Sequence, residues 1–475
     1  MHDVLKNLVS TFKLLGLLLC LFATAAHGEE RIMPGNSVTA LLSYSSIVKK
    51  TSAAVVNIYA VQFIKNNVSP LLQDPNFRRL FGIDENSAYF KPTTKMQRSL
   101  GSGVIVRKDG LIVTNYHVIE NADKIKVILT DGREFDAIVK VQEKETDLAV
   151  LQLVDSPKDL PFLKFRDVDT LEVGDVVLAL GNPFGLGQTV TSGIISALTR
   201  NKAGLNDWRG LIQTDASINP GNSGGALVTT DGELVGINTF ILSKSGGSMG
   251  IGFAIPSNLL VPLIASVEKG EKYVRPWDGL TVQNMTPQMS ESLNVAAPIG
   301  VIVTDIYDSS PAAKAGIKVG DIITHINGKE VENSAKYKYR VAVGKLNEDN
   351  IYTVMRPDRT TADVKVKLES PPEAEDNKVH FVTGRNPLSG ASVANLSPAL
   401  ATKLGLNYKT NGVLIVSVAP GSNASRVGLL PGAIIEKING NKVKNINEVV
   451  KGLSRARGGW EITVRHNNET ITISG

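Results

Sequence analysis

The second half of the chain contains an internal repeat at a fixed distance. Ile326-Asn327-Gly328 recurs as Ile438-Asn439-Gly440, 112 positions later. The glycines that keep this spacing are Gly300, Gly316, Gly320 and Gly328 in the first copy and Gly412, Gly428, Gly432 and Gly440 in the second. Glycines and apolar residues that stay in register in this way indicate a duplicated domain. The chain of 475 residues is therefore expected to fold as one upstream domain followed by two copies of a smaller one.

Short apolar runs separated by turns dominate the upstream part. The runs are Gly103 to Val106, Leu111 to Thr114, Lys124 to Leu129, Phe135 to Val139, Leu148 to Leu153, Val176 to Leu180 and Leu234 to Asn238. Asp109-Gly110, Asp131-Gly132 and Asp231-Gly232 have the composition of hairpin turns. The pattern predicts an all-β double barrel.

A serine lies within the glycine-rich turn Gly221-Asn222-Ser223-Gly224-Gly225. Flanking glycines permit backbone conformations in which successive N–H groups converge on one point, as an oxyanion hole requires. We therefore expect Ser223 to be a nucleophile and Gly221, Asn222 and Ser223 to form the oxyanion hole. An ordinary surface turn is the alternative, because clusters of Gly, Asn and Ser are also common turn chemistry.

A nucleophilic serine needs a base, and the base usually needs a carboxylate that holds its tautomer. Among the histidines, His117 alone lies in the upstream domain outside the N-terminal leader, at the end of a β-like run. Asp147 opens the apolar run Leu148 to Leu153. A core histidine and a strand-start aspartate are the alternative interpretations. The order His117, Asp147, Ser223 is that of chymotrypsin rather than of subtilisin or the α/β-hydrolases, and it favours acyl transfer from a peptide bond.

These residues also carry a family resemblance. Thr114-Asn115-Tyr116-His117-Val118, Asp147-Leu148-Ala149-Val150-Leu151 and the Ser223 turn resemble, in this order, motifs of the HtrA (Deg) serine proteases. The likeness extends through Gly181 to Gly185 and through Gly250 to Pro256. The resemblance implies a mainly β chain, in which a chymotrypsin-like double β-barrel protease domain precedes two PDZ domains of α+β type. It implies no cofactor and no metal.

The resemblance further implies an ATP-independent endopeptidase that degrades unfolded or misfolded envelope proteins. It implies homotrimers that build larger cages, peripheral membrane association, and client C-terminal peptides as PDZ ligands. Ile241 and Leu242 would lie beside the pocket for the residue before the scissile bond, although both equally suit core packing. Residues 63–100 resemble the regulatory loop of the family, with a disordered insertion as the alternative. Residues 243–249, rich in glycine and serine, are interpreted as a mobile activation loop, with a plain hairpin connection as the alternative. The competing hypothesis is a chaperone or peptide-binding scaffold with little proteolysis.

Each repeat resembles a PDZ domain, which binds an extended peptide by strand addition and receives its terminal carboxylate with loop N–H groups. The candidate loops are Trp277-Asp278-Gly279-Leu280 and Leu388-Ser389-Gly390-Ala391. Asp278 stands where the family usually has an apolar residue, and an acidic side chain there would repel a carboxylate. C-terminal recognition by the first unit is therefore left open, and both units could instead be spacers or subunit-contact modules.

The N-terminus has the layout of a cleavable signal peptide, with Lys6 and Lys13, an apolar run at 14–22 and small residues up to Gly28. The run is shorter than the ~20 apolar residues of a spanning helix, so an uncleaved anchor is the less favoured alternative. Cleavage would remove Cys20, the only cysteine, and with it any disulfide or thiol chemistry. A protein of this kind resembles a periplasmic one. The net charge of +5, without a dense basic run, argues against nucleic-acid binding.

The predicted domains are a signal peptide at 1–28, a protease domain at 29–270, a first PDZ domain at 277–369, a linker at 370–379 and a second PDZ domain at 380–475.

Overall fold

A computed structural model of the chain describes residues 43–66, 93–182, 187–200, 208–219, 221–241, 250–295, 298–374, 376, 378–404, 412–454, 459–466 and 469–474. The predicted signal peptide, Leu242, the segment 243–249 and most of the loop 63–100 lie outside these residues. The sheets described below belong to the unit Ser46–Gly475. No helix within the described ranges has the length and hydropathy to cross a membrane.

Two closed six-stranded barrels form the upstream part, which confirms the predicted double barrel. The first closes in the order β1-β2-β3-β6-β5-β4 and the second in the order β10-β11-β12-β9-β8-β7. The strands are β1 (Val55–Asn66), β2 (Thr93–Arg107), β3 (Leu111–Asn115), β4 (Lys124–Ile128), β5 (Glu134–Glu143), β6 (Leu148–Leu153), β7 (Val176–Gly181), β8 (Thr189–Arg200), β9 (Leu211–Thr214), β10 (Ala226–Thr229), β11 (Leu234–Ile241) and β12 (Gly252–Pro256).

The pairing of β3 with β6 shows how the core of the first barrel is built. Ile112 lies opposite Leu151 and Val113 opposite Val150, and all four side chains are fully buried. Apolar burial contributes roughly 25 cal/mol per Å², so this antiparallel register is strongly favoured over a slipped one. The same register places the end of β3 beside the beginning of β6.

Two open sheets follow the barrels, and their strand order explains the internal repeat. The first runs β13-β14-β15-β17-β18 with β16 paired to β15, and the second runs β19-β20-β21-β22-β24-β25 with β23 paired to β22. The strands are β13 (Leu280–Asn284), β14 (Val301–Ile306), β15 (Ile322–Ile326), β16 (Lys329–Glu330), β17 (Asp349–Met355), β18 (Thr361–Lys367), β19 (His380–Phe381), β20 (Ala391–Asn395), β21 (Val413–Val418), β22 (Ile434–Ile438), β23 (Asn441–Lys442), β24 (Glu461–His466) and β25 (Glu469–Ser474). The second unit repeats the first and adds β19 at its edge.

Helices are short and cover the ends and one face of these sheets. They are α1 (Ser45–Ser52), α2 (Tyr116–Ile119), α3 (Leu260–Lys269), α4 (Pro287–Ser292), α5 (Pro311–Lys314), α6 (Ser334–Ala342), α7 (Pro398–Lys403), α8 (Asn423–Arg426) and α9 (Ile446–Ser454), with 3₁₀ turns at Val168–Thr170 and Ser257–Leu259.

The two candidate loops share a glycine at the same position, and the backbone geometry there explains why. Gly279 has a φ of +83° and Gly390 a φ of +90°. A Cβ atom at either position would lie 2.2 Å from the Cβ of Ser310 or of Ser422, respectively. Both serines cap a following helix, α5 or α8, through their side chains. The backbone of each loop therefore passes too close to a helix start for any larger residue.

Candidate active site

The pairing of β3 with β6 brings His117 and Asp147 together. His117 lies in the short helix α2, which begins directly after β3, and Asp147 directly precedes β6. The carbonyl oxygen of Asp147 accepts hydrogen bonds of 3.1 Å from the Tyr116 N–H and from the Asn115 side-chain amide. Asp147 itself has a φ of +60°, a strained conformation for an aspartate that these contacts hold in place.

The carboxylate of Asp147 is bound on both oxygens. The His117 N–H donates to Oδ1 at 3.0 Å, and His117 Nδ1 lies 2.8 Å from Oδ2. The Thr239 hydroxyl donates to Oδ2 at 3.0 Å. Burial by itself raises the pKa of Asp147, but the hydrogen bonds and charge of His117, together with Thr239, hold that pKa below its usual value. The carboxylate thus stays ionised while its side chain is only 17% exposed.

Ser223 lies on the turn between β9 and β10. Its hydroxyl donates to the Thr239 carbonyl oxygen at 3.1 Å. Thr239 therefore contacts both predicted partners, because its side chain binds Asp147 and its backbone binds Ser223. The structure brings all three sequence-predicted residues to one place at the junction of the two barrels.

The amides of the serine turn fall into two groups. Asn222, Gly224 and Gly225 donate to the carbonyl oxygens of Asn219, Asn238 and Asn222, at 3.1, 2.8 and 3.0 Å. The N–H groups of Gly221 and Ser223 have no acceptor among the described residues. Asn222 is buried, and its side chain bonds back to the chain at Asn219 and Ser217. Two amides are thus available to a ligand, and Asn222 braces the turn that carries them.

Ser102 ties this turn to the first barrel. Its hydroxyl donates to the Gly221 carbonyl oxygen at 2.6 Å and accepts from the Asn182 N–H at 2.9 Å. Its backbone N–H donates to the Ser223 carbonyl oxygen at 2.9 Å. Ser102 is fully buried, so these bonds are shielded from water and hold the turn in one conformation.

Sequence reasoning missed Ser102 and Thr239 as members of the site. Both lie in strands, Ser102 in β2 and Thr239 in β11. Their contacts depend on the pairing of strands from two barrels, which no local pattern encodes. A usable signal for Ser102 was its position between Gly101 and Gly103, where a small polar residue is closely approached by other backbone.

The predicted pocket residues Ile241 and Leu242 give no side-chain contacts. Ile241 ends β11, one residue after Phe240, whose ring stacks on Phe253 at 5.0 Å. The side chain of Ile241 and the whole of Leu242 lie outside the described residues. Their role in substrate binding remains a prediction.

In the first repeat unit, the predicted loop carries a buried acid. The side chain of Asp278 accepts hydrogen bonds from the Tyr337 hydroxyl, from the Tyr352 hydroxyl at 2.9 Å and from the Leu280 N–H at 3.1 Å. Burial raises the pKa of Asp278, although these donors favour the charged form. Trp277 is also buried and packs edge-on against Tyr307 at 5.6 Å. The Gly279 N–H has no acceptor among the described residues.

A cavity of about 300 Å³ adjoins this loop. It lies between strand β13 and helix α6, and its walls include Leu280 and Tyr337 of the first unit together with Glu145 and Trp208 of the upstream domain and Thr402 of the second unit. Strand β13 is the first in the order of its sheet, and among the described residues its only strand partner is β14.

In the second unit, the predicted loop is already hydrogen-bonded. The N–H groups of Ser389, Gly390 and Ala391 donate to the carbonyl oxygens of Asn386, Val382 and Leu388, at 3.2, 2.9 and 2.9 Å. Leu388 is fully buried in the core of the unit. A carboxylate site in this loop, as predicted from the sequence, would require these bonds to open first.

Arg275 connects the first repeat unit to the loop that carries Asp147. Its guanidinium lies 2.8 Å from Glu143 and 2.5 Å from Glu145. It also lies over the Trp208 ring, 4.6 Å from the ring centre. Burial lowers the pKa of Arg275, but the two carboxylates more than reverse this and raise it. The guanidinium is only 15% exposed and binds one oxygen of each carboxylate, so water screens these ion pairs less than exposed ones.

Comparison with known families agrees with this architecture. A model described as a trypsin-like peptidase domain matches residues 101–237, and two models described as PDZ domains match 248–368 and 414–464. The first range contains His117, Asp147 and Ser223.

Relatives match over most of the chain. A probable periplasmic serine endoprotease, DegP-like, of Chlamydia pneumoniae is 40% identical over 84% of this chain and 78% of its own length. The periplasmic serine endoprotease DegP of Escherichia coli K12 is 39% identical over 79% of this chain and 76% of its own. The chain belongs to the HtrA family of serine endoproteases. A probable periplasmic serine protease of the do/HhoA-like type from Haemophilus influenzae is 38% identical over 92% of both chains.

A solved HtrA structure also resembles the chain. An HtrA-type protease, AlgW with a decapeptide, has a TM-score of 0.52 and 41% identity, and covers 70% of this chain and all of its own. The HtrA resemblance predicted from the sequence motifs is therefore confirmed, as is the identification of the chain as a serine endopeptidase with PDZ domains.

Proposed function

We propose that the chain hydrolyses peptide bonds in unfolded or misfolded proteins of the periplasm, with Ser223 as nucleophile, His117 as general base and Asp147 as the residue that orients His117. The observation that carries the proposal is the bonding of Asp147 to both the backbone and Nδ1 of His117 beside the Ser223 turn. The contacts of Thr239 with both Asp147 and Ser223 support this assignment, because they connect the Asp147–His117 pair to the serine turn.

The hydrogen bond at Nδ1 indicates which nitrogen of His117 would act as the base. If Nδ1 carries the proton and donates it to Asp147, the lone pair remains on Nε2, which is the atom that takes the serine proton. The ionised carboxylate then stabilises the imidazolium that forms. Since the Ser223 hydroxyl donates to the Thr239 carbonyl oxygen, attack requires a rotation about the Ser223 side chain towards Nε2.

The amides of Gly221 and Ser223 are proposed to stabilise the negative charge that develops on the substrate oxygen. Both N–H groups lack an acceptor among the described residues, whereas the Asn222 N–H is used within the turn. One such donor typically contributes ~3 kcal/mol to transition-state stabilisation. Proton transfer from His117 releases the amine product, and water, activated by the same base, frees the acyl group from Ser223.

Peptide binding is proposed for the first PDZ domain. An extended segment would pair with β13 and lie in the cavity beside α6, with the Gly279 N–H donating to a carbonyl or carboxylate oxygen of the segment. The HtrA-type protease AlgW has been solved with a decapeptide and with a tripeptide, which supports a peptide ligand for this chain.

Regulation is proposed to pass through Arg275. This residue precedes the carboxylate loop of the first PDZ domain and binds Glu143 and Glu145, which flank the turn before Asp147. A peptide that moves the loop would pull on these ion pairs and so change the position of Asp147. A coupling free energy of one to three kcal/mol is typical of such links, i.e. about 5–150-fold in affinity.

Export, assembly and a holding activity complete the proposal. Relatives are named periplasmic, and the N-terminal layout supports removal of the leader and release into the periplasm. We propose a homotrimer that can form larger cages, associates peripherally with the membrane, and retains unfolded clients as a chaperone between cleavage events.

Degradation of casein by the native chain and by Ser223→Ala tests the proposal. The native chain is expected to degrade casein without ATP, and Ser223→Ala is expected to lose at least ~10³-fold in rate. Ser217→Ala, on the lead-in to the same turn, is the matched control and should stay active. Equal cleavage by Ser223→Ala would refute the mechanism, whereas suppression of client aggregation by that variant would support the holding activity.

A further inference from the structure

The second PDZ domain carries a strand that has no counterpart among the described residues of the first, at the place where a peptide would bind. Strand β19 pairs antiparallel with the outer edge of β20, with His380 opposite Val393 and Phe381 opposite Ser392. Beyond β19, the Val382 N–H donates to the Ala391 carbonyl oxygen at 2.8 Å. The segment His380–Val382 thus runs along β20 towards the loop Leu388–Ala391, in the direction that an added peptide strand would take.

The end of this segment meets the loop as a peptide terminus would. The Val382 carbonyl oxygen accepts a hydrogen bond of 2.9 Å from the Gly390 N–H. Gly390 and Gly279 are equivalent, since each approaches the capping serine of the following helix in the same way. In the first domain the Gly279 N–H has no acceptor among the described residues. The same amide is therefore occupied in one domain and open in the other.

The side chain of Val382 is buried, whereas that of its neighbour Phe381 is exposed. Val382 is 4% exposed and packs in the apolar core that also contains Leu388, Ala391 and Val449 of helix α9. Phe381, on the opposite face of the strand, is 55% exposed. In the first domain, the space between β13 and α6 is instead a cavity of about 300 Å³. An apolar residue of the chain itself thus lies where the last side chain of a peptide would be expected.

We propose that His380–Val382 is an internal ligand of the second PDZ domain, which holds this chain's own segment in its peptide groove and excludes free apolar C-termini. The loop at 383–389 makes the hairpin self-supporting, because the Asn386 side chain binds both the Thr383 carbonyl oxygen and the Leu388 N–H. The proposal rests on the peptide-binding role given above to these domains, and it assigns that role to the first domain alone.

Calorimetric titration with a synthetic decapeptide that ends in a valine carboxylate tests this. The full chain carrying Ser223→Ala, which prevents cleavage, is compared with the same chain bearing Val382→Asp. A charged residue cannot remain in the apolar pocket, so the segment should leave and expose the β20 edge and the Gly390 N–H. We expect Val382→Asp to bind one more peptide per chain than its parent. Phe381→Asp, on the exposed face of the same strand, should bind the same number as the parent.

Different outcomes would refute peptide binding by the first domain and the internal ligand of the second. A parent that binds no peptide, with a variant that binds one, would refute peptide binding by the first domain and support the internal ligand. A folded Val382→Asp chain with unchanged stoichiometry would overturn the internal ligand. Hydrogen exchange on the parent chain covers the case in which the variant does not fold. With saturating peptide present, the Val382 and Gly390 amides of the parent chain should exchange at least ~100-fold more slowly than unstructured amides. Exchange at the unstructured rate would contradict the proposal.

Discussion

At the scale of single residues, the environment of Asp147 explains how a mostly buried carboxylate stays charged. It accepts from the His117 backbone, the His117 ring and the Thr239 hydroxyl. Each donor favours the ionised form, and together they outweigh the cost of burial. Thr239 is the member of this set that the protease mechanism itself does not require.

Thr239→Val removes one of these donors without changing the size of the side chain. The pKa of Asp147 should rise, and the free energy of unfolding at neutral pH should fall by about 1–2 kcal/mol. Because the folded-state pKa of Asp147 is lowered, its contribution to stability is present above the ordinary pKa of an aspartate and is lost as the pH falls below it. Urea unfolding at several pH values should show a smaller total acid destabilisation in the variant, because its folded-state pKa lies closer to the unfolded value. Thr191→Val, which bonds only to the Ser217 carbonyl oxygen, is the control and should keep the native profile.

The pKa of Asp278 is shifted in the opposite direction to that of Asp147. Burial raises its folded-state pKa, so its contribution to stability is largest when it is protonated and is lost as the pH rises through the interval between the unfolded and folded pKa values. Asp278→Asn carries no charge, and its single oxygen can keep the bonds from the two tyrosine hydroxyls while the Leu280 N–H loses its acceptor. Thermal unfolding should therefore show a higher Tm for the variant at neutral pH and a smaller difference near pH 4. A lower Tm at both pH values would mean that the ionised carboxylate stabilises the first PDZ domain.

At the scale of elements, the serine turn depends on strand β2 of the other barrel. Ser102→Ala would leave the Gly221 carbonyl oxygen and the Asn182 N–H without their buried partner. Such losses cost about 1–3 kcal/mol. We expect a decrease of that size in the free energy of unfolding and a fall in kcat of at least 10-fold, because the oxyanion amides lose their position. Ser99→Ala, three residues earlier on β2, should match the native chain in both urea unfolding and peptide hydrolysis.

The loop between β5 and β6 is the second element with a testable role. Arg275→Gln removes the charge that pairs with Glu143 and Glu145, and the pKa of Glu145, already raised by burial, should rise further. The variant should lose the change in casein cleavage that a groove-binding peptide causes in the native chain. Arg107→Gln breaks an exposed ion pair with Asp109 and Glu268 and is expected to keep that response. Peptide activation that survives in Arg275→Gln would exclude Arg275 as the link.

The elements also show what the sequence could and could not predict. Motif order and hairpin turns were sufficient for the barrels, and motif order also selected His117 and Asp147, which the structure brings into contact. Ser102 joins the two barrels, and Arg275 joins the first PDZ domain to the upstream domain, through contacts that depend on three-dimensional placement. The Leu388–Ala391 loop was interpreted as open because its composition is the same whether or not its amides are bonded. Only the pairing of β19 with β20 reveals the difference.

At the scale of the whole molecule, the two PDZ domains differ in their contacts. In the first, the Gly279 N–H has no acceptor among the described residues and Arg275 pairs with Glu143 and Glu145, whereas in the second β19 pairs with β20. Solution mass measurement is expected to give three chains per particle or a multiple of three. A monomeric mass under conditions of full activity would remove assembly from the proposal.

The central claim is that Ser223 is a nucleophile activated by His117. Diisopropyl fluorophosphate modifies activated serines and leaves ordinary ones unchanged, so mass spectrometry of the treated, digested chain tests the claim directly. The account predicts a single adduct on the peptide containing Ser223, at least ~100-fold slower to form in His117→Ala and absent in Ser223→Ala. No adduct on the casein-degrading chain, or an adduct on another serine together with cleavage by Ser223→Ala, would contradict it.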